Sequence, residues 1–322
     1  MLHHWGGDSQ AGFYNHTEIK TVTFEDDDNI TALSANVFNG CTGLQSFNIP
    51  TKVTTINNNA FRGCTALAFV TIPANTISIG TYAFYGCLLN DITWSVGSNQ
   101  VVLNSYAFSH SAITDTVYAK IIDRNFKSNA YLFEYCNNLH NITVPRTSNY
   151  MFQYCTGLLS ANLTDEDGGH ATGTCLFRGC TALTTVTMAD TITTIGDNAF
   201  YGCNSLVNVT LPNALTKING SAFQGCTSLQ TISLPSTITS LNSSAFQGCT
   251  NLTNITLGAD WNCACSFSAV TSLTEVSLAA MLVSLADLTD STAKTLTLGS
   301  TNLNKLTAEE KLVALNKNWN LA

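Results

Sequence analysis

The stretch NAFYGC at residues 198–203, followed by Leu206, Val209 and Leu211, decides the fold of this chain. The same pattern returns around Phe223 and Phe246, so that its phenylalanine recurs every 23 residues. A fixed period of this length is typical of a solenoid, in which each repeat is one winding that stacks only on its neighbours. The chain of 322 residues is therefore predicted to form one repeat domain and not several globular domains.

The motif Phe-x-x-Cys marks further windings, and an apolar triplet spaced like Leu-x-x-Ile-x-Leu follows each one. The last two triplet positions alternate with polar residues, which is the period of a half-buried strand. Strands that recur in the same direction form a parallel sheet. We predict one parallel sheet of about thirteen short strands, with turns or 3-10 segments on the opposite side. The predicted strands include one in the defining repeat, at residues 206–211, a weaker match at 113–118, and strands near the ends at 19–24, 273–278 and 293–298.

The pattern Ala-Phe-x-x-Cys-x-x-Leu-x-x-Ile-x-Leu-Pro at this period resembles the BspA-like, or Treponema-type, leucine-rich repeats. The resemblance covers roughly residues 17–300. It implies an α/β solenoid that curves into a right-handed horseshoe. It also implies a bacterial or protist protein of the cell surface, often one that binds other proteins or extracellular matrix.

The two ends and the middle of the chain depart from the repeat. Residues 1–16 are predicted to cover the first coil, residues 17–300 to form the solenoid, and residues 301–322 to form a helical cap. Irregular coils occupy about residues 88–177, where the phenylalanine spacing varies. Thr307 and Glu310 form a capping-box pattern that predicts a helix over residues 308–317. Ala308, Leu312 and Leu315 are expected on its inner face, with Trp319 and Leu321 shielding the last coil.

Composition excludes several classes of function. Only 11% of the residues are charged, the formal net charge is −8 and the basic residues are scattered, which argues against nucleic acid or an anionic membrane as the partner. No run of eighteen apolar residues predicts a transmembrane helix. The first residues lack the basic and apolar regions of a signal peptide. We expect an extracellular or cell-surface protein whose signal peptide is not in this sequence. The alternative is a protein that is not exported by means of a signal peptide.

Nine of the 12 cysteines occupy the same slot of a repeat. Side chains in one slot of neighbouring coils stack roughly 5 Å apart and point in parallel. We therefore predict a column of buried free thiols, with disulfides or a metal site as the alternatives. The nine are Cys41, Cys64, Cys87, Cys136, Cys155, Cys180, Cys203, Cys226 and Cys249.

The outward strand positions form two rows rich in Thr, Ser and Asn on the predicted concave face. Such rows suit a merely solvated sheet face, because Thr is favoured on strands. They also suit a neutral surface that binds protein or glycan. An exposed Phe beside carboxylates marks a contact surface better than hydroxyl groups do. The candidate ligand-binding residues are Phe69, Asp91, Asp115, Asn141 and Asn162.

Three other groups carry weaker signals. Trp94 and Tyr118 are expected in the core by strand parity, although aromatic residues of the irregular coils also suit an interface. Two acidic runs, residues 25–28 and 165–168, are interpreted as solvated turns, with calcium binding as the alternative. Among the histidines, only His140 lies beside a predicted strand start. The other aromatic residues gathered here are Tyr106, Tyr131, Tyr135, Tyr150 and Tyr154.

No nucleophile elbow, phosphate loop or zincin helix is visible in the sequence. We predict a non-enzymatic recognition or adhesion scaffold without catalytic residues, cofactor or metal. Its partner is expected to be a host or matrix protein, or a glycan, and its oligomeric state is not predicted. The alternative is a structural or receptor-contacting component of a phage-like tail or fibre.

Overall fold

The structure, a computed structural model, describes residues 12–24, 29–97, 100–123, 126–145, 147–166 and 168–322. It consists mainly of very short strands separated by turns. The strands are β1 (Ala32–Leu33), β2 (Ser46–Asn48), β3 (Thr55–Ile56), β4 (Phe69–Ile72), β5 (Ser78–Ile79), β6 (Asp91–Trp94), β7 (Val101–Leu103), β8 (Phe126–Ser128), β9 (Asn141–Val144), β10 (Ser160–Leu163), β11 (Thr185–Met188), β12 (Thr194–Ile195), β13 (Lys217–Ile218), β14 (Thr231–Leu234), β15 (Ser240–Leu241), β16 (Asn254–Leu257), β17 (Cys265–Ser266), β18 (Lys294–Thr297) and β19 (Trp319–Leu321). The helices are α1 (Asp115–Ile122), α2 (Glu275–Val283), α3 (Gly299–Leu303) and α4 (Ala308–Asn316).

The chain divides into two compact units. The first contains residues 1–142 and 148–157, and the second contains residues 143–147 and 158–322. Every strand pair described in either unit is parallel, as the repeat predicts. The predicted horseshoe and its hand describe the whole chain and stay predictions.

Most regular coils contribute two strands, not one, and this corrects the prediction of a single sheet. In the first unit, the strands that follow the apolar triplets form the sheet β2-β4-β6, and a second sheet has the order β1-β3-β5-β7-β8. In the second unit, β14 pairs with β16, while β12, β13 and β15 form a separate sheet. The second sheet arises from the apolar pair that was expected only to turn the chain back. Leu241 of that pair is buried in β15 and pairs with Ile218 of the coil before it.

Two predicted strands are helices. The strand expected at residues 113–118 is α1, and the strand expected at 273–278 is α2. By strand parity, a strand at residues 113–118 would turn Val117 outward, but in α1 Val117 is fully buried, together with Tyr118. A strand at 273–278 would turn Val276 inward and Ser277 outward, but in α2 Val276 is 80% exposed and Ser277 is buried. Short apolar segments fit strand and helix periods equally well, and here neighbouring coils select the helix.

Two further predicted strands are absent from the described residues. Residues 19–24 have no strand, and the segment around Val209 has only an isolated bridge between Asn208 and Thr231. The segments expected as turns or 3-10 helix are turns, since none of the described residues forms a 3-10 helix.

The predicted phenylalanine column is confirmed in both units. In the second unit, the rings of Phe200 and Phe223 are stacked with centroids 5.1 Å apart, and those of Phe223 and Phe246 with centroids 5.5 Å apart. In the first unit, the column continues through Phe61 and Phe84 at 5.2 Å. These rings are buried, so each coil supplies one ring to a core shared with the next coil.

The cysteines are buried free thiols, which confirms the predicted column. Thiols in the repeat slot also donate hydrogen bonds. The Cys226 Sγ–H donates to the Phe200 carbonyl oxygen at 3.2 Å, and Cys249 donates in the same way to Phe223 at 3.0 Å. Burial raises the pKa of the Cys249 thiol to about 12, so it stays protonated and keeps donating at neutral pH. The cysteine slot thus satisfies a buried carbonyl of the preceding coil.

Near the C-terminus, α4 carries the predicted capping box. The Thr307 hydroxyl accepts from the Glu310 backbone N–H, and the Glu310 carboxylate accepts from the Thr307 backbone N–H. The expected inner face is wrong, because Leu312 and Leu315 are about half exposed. Ala314 is the buried residue of α4. Trp319 is buried in β19, where its register partner is Lys294 of β18.

Candidate functional site

A surface in the first unit brings together two of the predicted site residues. Phe69 on β4 and Asp91 on β6 are register partners of adjacent parallel strands, so their side chains lie on one face. The Phe69 ring is 57% exposed, which is unusual for a residue of this size on a strand. The Asp91 carboxylate forms a half-exposed ion pair with Lys120 of α1, with 2.5 Å between Oδ1 and Nζ. We call Phe69, Asp91 and Lys120 the Phe69 surface.

A cavity of 380 Å³ lies beside the Phe69 surface, between the end of β6 and α1. Lys120 lines it together with Trp94, Val96 and Asp123. Val96 is 98% exposed, and Trp94 is half-buried, not the core residue that strand parity predicts. The cavity exists because α1 replaces a strand beside β6. Sequence reasoning missed Lys120, since it placed this segment on a strand.

Asp115 has a structural role that the predicted strand could not reveal. It is the first residue of α1, and its carboxylate accepts the backbone N–H groups of His140 at 2.7 Å and Asn141 at 3.0 Å. These donors lie at the start of β9, and on this side of β9 the chain forms α1 and no strand that could pair with them. Asp115 therefore satisfies the edge of β9 and fixes the position of Asn141. His140, the histidine singled out in the sequence, takes part through its backbone.

The two candidate asparagines are exposed, but they belong to different units. Asn141 stands in the first unit at the start of β9. Asn162 stands in the second unit on β10, where its Oδ1 atom accepts from the Thr187 hydroxyl at 2.6 Å. Within the first unit, the structure joins Phe69 to Asp91 by strand register and Asp115 to Asn141 by a hydrogen bond.

Two aromatic ladders in the first unit form a second candidate surface. Tyr106, Tyr131 and Tyr150 are stacked with centroids 4.3–4.4 Å apart, and Tyr82 extends this column at 4.7 Å. We call these four the inner ladder. The outer ladder contains a tilted stack in which neighbouring centroids lie 4.4–4.9 Å apart. Its members are Tyr85, His110, Tyr135 and Tyr154.

The sequence shows these tyrosines but not their arrangement. A signal was available in the slot two residues after the repeat phenylalanine. That slot holds glycine at Gly86 and Gly179, but His110, Tyr135 and Tyr154 in the coils between them. An aromatic residue at three successive glycine positions indicates one continuous row.

The acidic run at residues 165–168 bonds within the chain. The Asp165 carboxylate accepts from the Thr191 hydroxyl at 2.7 Å and from the His170 backbone N–H at 3.0 Å. Asp167 and the whole run 25–28 lie outside the described residues. Across the described ranges, no group of three or more His, Cys, Asp or Glu side chains is placed to hold a metal ion. No helix in those ranges is long and apolar enough to span a bilayer.

Comparison with known proteins gives one family. A model of the BspA type leucine rich repeat region, in six copies, matches residues 9–114, 56–169 and 170–288. None of the curated proteins compared with the chain matches it.

Solved structures show the same fold. A leucine-rich repeat protein from Bacteroides ovatus is 23% identical, with a TM-score of 0.56 over 76% of this chain and 74% of the other. The pneumococcal vaccine antigen PcpA is 17% identical, with a TM-score of 0.52 over 91% of this chain and 84% of the other. The family model spans most of the sequence, and its repeats coincide with the coils that carry the phenylalanine and cysteine columns. The chain therefore belongs to the BspA-type leucine-rich repeat family.

Proposed function

We propose that this protein is a non-enzymatic recognition scaffold that binds a partner protein through the Phe69 surface. The observation that carries the proposal is the exposed Phe69 ring beside the Asp91–Lys120 ion pair. A large apolar side chain held on a rigid sheet is a suitable anchor, because burying it on binding removes apolar area from water without ordering a loop. The neighbouring cavity offers a place for an apolar side chain of the partner.

The neighbouring polar residues supply specificity. Asp91 and Lys120 already pair in the free protein, so a partner must match both charges to avoid leaving one unpaired. Asn141 adds an amide on the same unit, with Asp115 as its positioning residue. Asn162 is proposed as a separate contact of the second unit. A host or matrix protein at the cell surface or outside the cell is the proposed partner, in line with the family resemblance. A glycan ligand and a role in a phage-like tail or fibre remain hypotheses.

The test is a screen of extracellular-matrix proteins and glycans on an array with the intact protein and with a triple variant. The variant carries Phe69→Ala, Asp91→Ala and Asn141→Ala. We expect it to lose capture of a matrix protein that the unchanged protein retains, with the melting temperature preserved. The matched control is Thr210→Ala with Thr256→Ala, two exposed positions of the second unit, and it should capture normally.

Unchanged capture by the triple variant would show that the Phe69 surface is not the binding site. If the intact protein captured only glycans and the triple variant lost that capture, the Phe69 surface would still be the binding site. The partner would then be a glycan and not a protein.

A further inference from the structure

Between the positions of the two aromatic ladders, each coil carries one more side chain, and two of these side chains have unmet polar groups. The residue that directly follows the repeat phenylalanine lies between the ladder positions along the chain. In the Phe84 coil this residue is Tyr85, which begins the outer ladder and also contacts the inner ladder. Its ring contacts Tyr82 of the inner ladder at 5.5 Å and His110 of the outer ladder at 4.6 Å. In the next three coils this middle position is occupied by Ser109, Glu134 and Gln153.

Glu134 is a half-buried carboxylate without a cation. Burial raises its pKa, and a hydrogen bond from Ser109 offsets part of that effect. It follows Phe133 directly and stands between Tyr131 of the inner ladder and Tyr135 of the outer ladder along the chain. Its charge contributes to the raised pKa of the Tyr106 and Tyr135 phenols. Among the described residues, no lysine or arginine forms an ion pair with it. A partly desolvated carboxylate in this state favours a cation that enters from outside.

Gln153, in the next coil, has a second unmet group. The residue is 7% exposed, and its buried Oε1 atom accepts no hydrogen bond from the part of the chain that the structure describes. A buried acceptor without a donor costs about 1–3 kcal/mol. Equivalent positions of neighbouring coils stack roughly 5 Å apart, so that one ligand can donate to both Glu134 and Gln153.

The molecule contains its own example of a cation on these rings. The Arg62 guanidinium lies over the first rung of both ladders, with Cζ 5.2 Å from the Tyr82 ring centroid and 5.3 Å from that of Tyr85. Arg62 occupies the middle position of its own coil. Glu134 and Gln153 occupy that position in later coils of the first unit, where the ladders continue. The middle position after Gln153 is Arg178 of the second unit, whose Cζ atom lies 5.0 Å from the Tyr201 ring centroid.

Three residues of the outer ladder have a strained backbone. His110, Tyr135 and Tyr154 have φ of 57–59°, in the left-handed region. A residue with a Cβ atom costs roughly 1–2 kcal/mol there. The matching slots of other coils avoid that cost with glycine, for example Gly86. Strain retained in three successive coils is typical of a functional surface.

From these observations we infer that Glu134 and Gln153, together with the rings of the ladders, bind an arginine side chain of a partner protein. The guanidinium donates to the Glu134 carboxylate and, after a small rotation of the amide, to the Gln153 Oε1 atom. A guanidinium fits better than an ammonium, because its planar fork supplies several donors and it stacks on aromatic rings. His110 does not oppose the cation, since burial lowers its pKa and the ring is neutral at pH 7. This site is separate from the Phe69 surface and does not depend on it.

The test uses a capped Gly-Arg-Gly peptide, titrated into the intact protein at low salt and followed by NMR of the tyrosine rings. The control peptide carries citrulline, which keeps the shape of arginine but replaces the guanidinium with a neutral urea group. We expect the arginine peptide to bind at least about tenfold more tightly, the equivalent of 1.4 kcal/mol. Glu134→Gln should reduce that preference to about twofold or less. Glu275→Gln, an exposed acid of the second unit, should leave it unchanged.

A second variant removes the ring wall while keeping the fold. His110→Gly, Tyr135→Gly and Tyr154→Gly together restore the residue that other coils carry in this slot, and we expect them to abolish arginine binding with the cooperative unfolding transition retained. Equal binding of the two peptides, no binding of either, or an unchanged preference in Glu134→Gln would overturn the inference. Concentration-dependent dimers that Glu134→Gln dissolves would also overturn it, because the occupant would then be a second copy of this chain.

Discussion

The coils around Phe84 to Phe152 and those around Phe177 to Phe246 have the same interior but different turns. Both sets bury the phenylalanine column and the cysteines that bond to it. The second set keeps a spacing of 23 residues and glycine in the turn, as at Gly202. The first set varies its spacing and carries stacked aromatic side chains on the turns. The comparison teaches that the core of a coil and its outer surface are specified by different residues, and one can change without the other.

The largest expected effect tests the shared interior. Phe133→Ala in the aromatic coils and Phe223→Ala in the regular coils should each lower the free energy of unfolding by about 3–5 kcal/mol, because both rings are fully buried. Urea denaturation measures the change. Thr210→Ala, at an exposed position, should stay within about 0.5 kcal/mol. A much smaller loss at Phe133 than at Phe223 would mean that the two sets do not share one kind of core.

An intermediate effect tests the turn slot. Gly202 has φ of 71°, and no atom lies within 4 Å of the place that an added Cβ atom would occupy. Gly202→Ala should therefore cost only the backbone strain, about 1–2 kcal/mol. Tyr135→Gly relieves the same strain but loses two ring stacks, and the net change should be below about 1 kcal/mol. Thermal and urea unfolding of both variants give the comparison. A large loss in Tyr135→Gly would assign the outer ladder a mainly structural role.

The smallest effect concerns the position after the phenylalanine, which is Glu134 in one aromatic coil and Gln224 in a regular coil. Burial raises the folded-state pKa of Glu134 above the ordinary 4.5. Its contribution to stability is therefore present below that value and is lost as the pH rises through the raised pKa. Relative to Glu134→Gln, the unchanged protein should become less stable between about pH 4 and pH 7. Paired urea titrations at the two pH values measure this, and a difference of opposite sign would show that Glu134 has a cation partner.

The sequence predicted the interior well, because the buried side chains recur at the same position of each repeat. A ring such as Phe223 recurs at a fixed spacing, and only stacking can bury a side chain in every copy. The Thr307 capping box was equally readable, since its bonds join residues three positions apart. Predictions of this kind succeed because their physical cause is local or strictly periodic.

The errors fall where neighbouring coils decide between two local structures. Val117 and Val276 were assigned to strands by parity, yet both lie on helices with the opposite exposure. Because α1 takes the place of a strand, Asp115 accepts hydrogen bonds from the edge of β9 and Lys120 forms an ion pair with Asp91. No sequence pattern within residues 113–122 predicts these two contacts, because they depend on which backbone groups the adjacent coils leave unpaired.

The sequence by itself determined the winding, the buried columns and the family, because a periodic set of apolar residues admits one way of stacking. Only the tertiary structure decided which surfaces can act. The Phe69 surface and the outer aromatic ladder each combine side chains from different coils. Their distances follow from how successive coils align in space, and residue spacing along the chain does not fix that alignment.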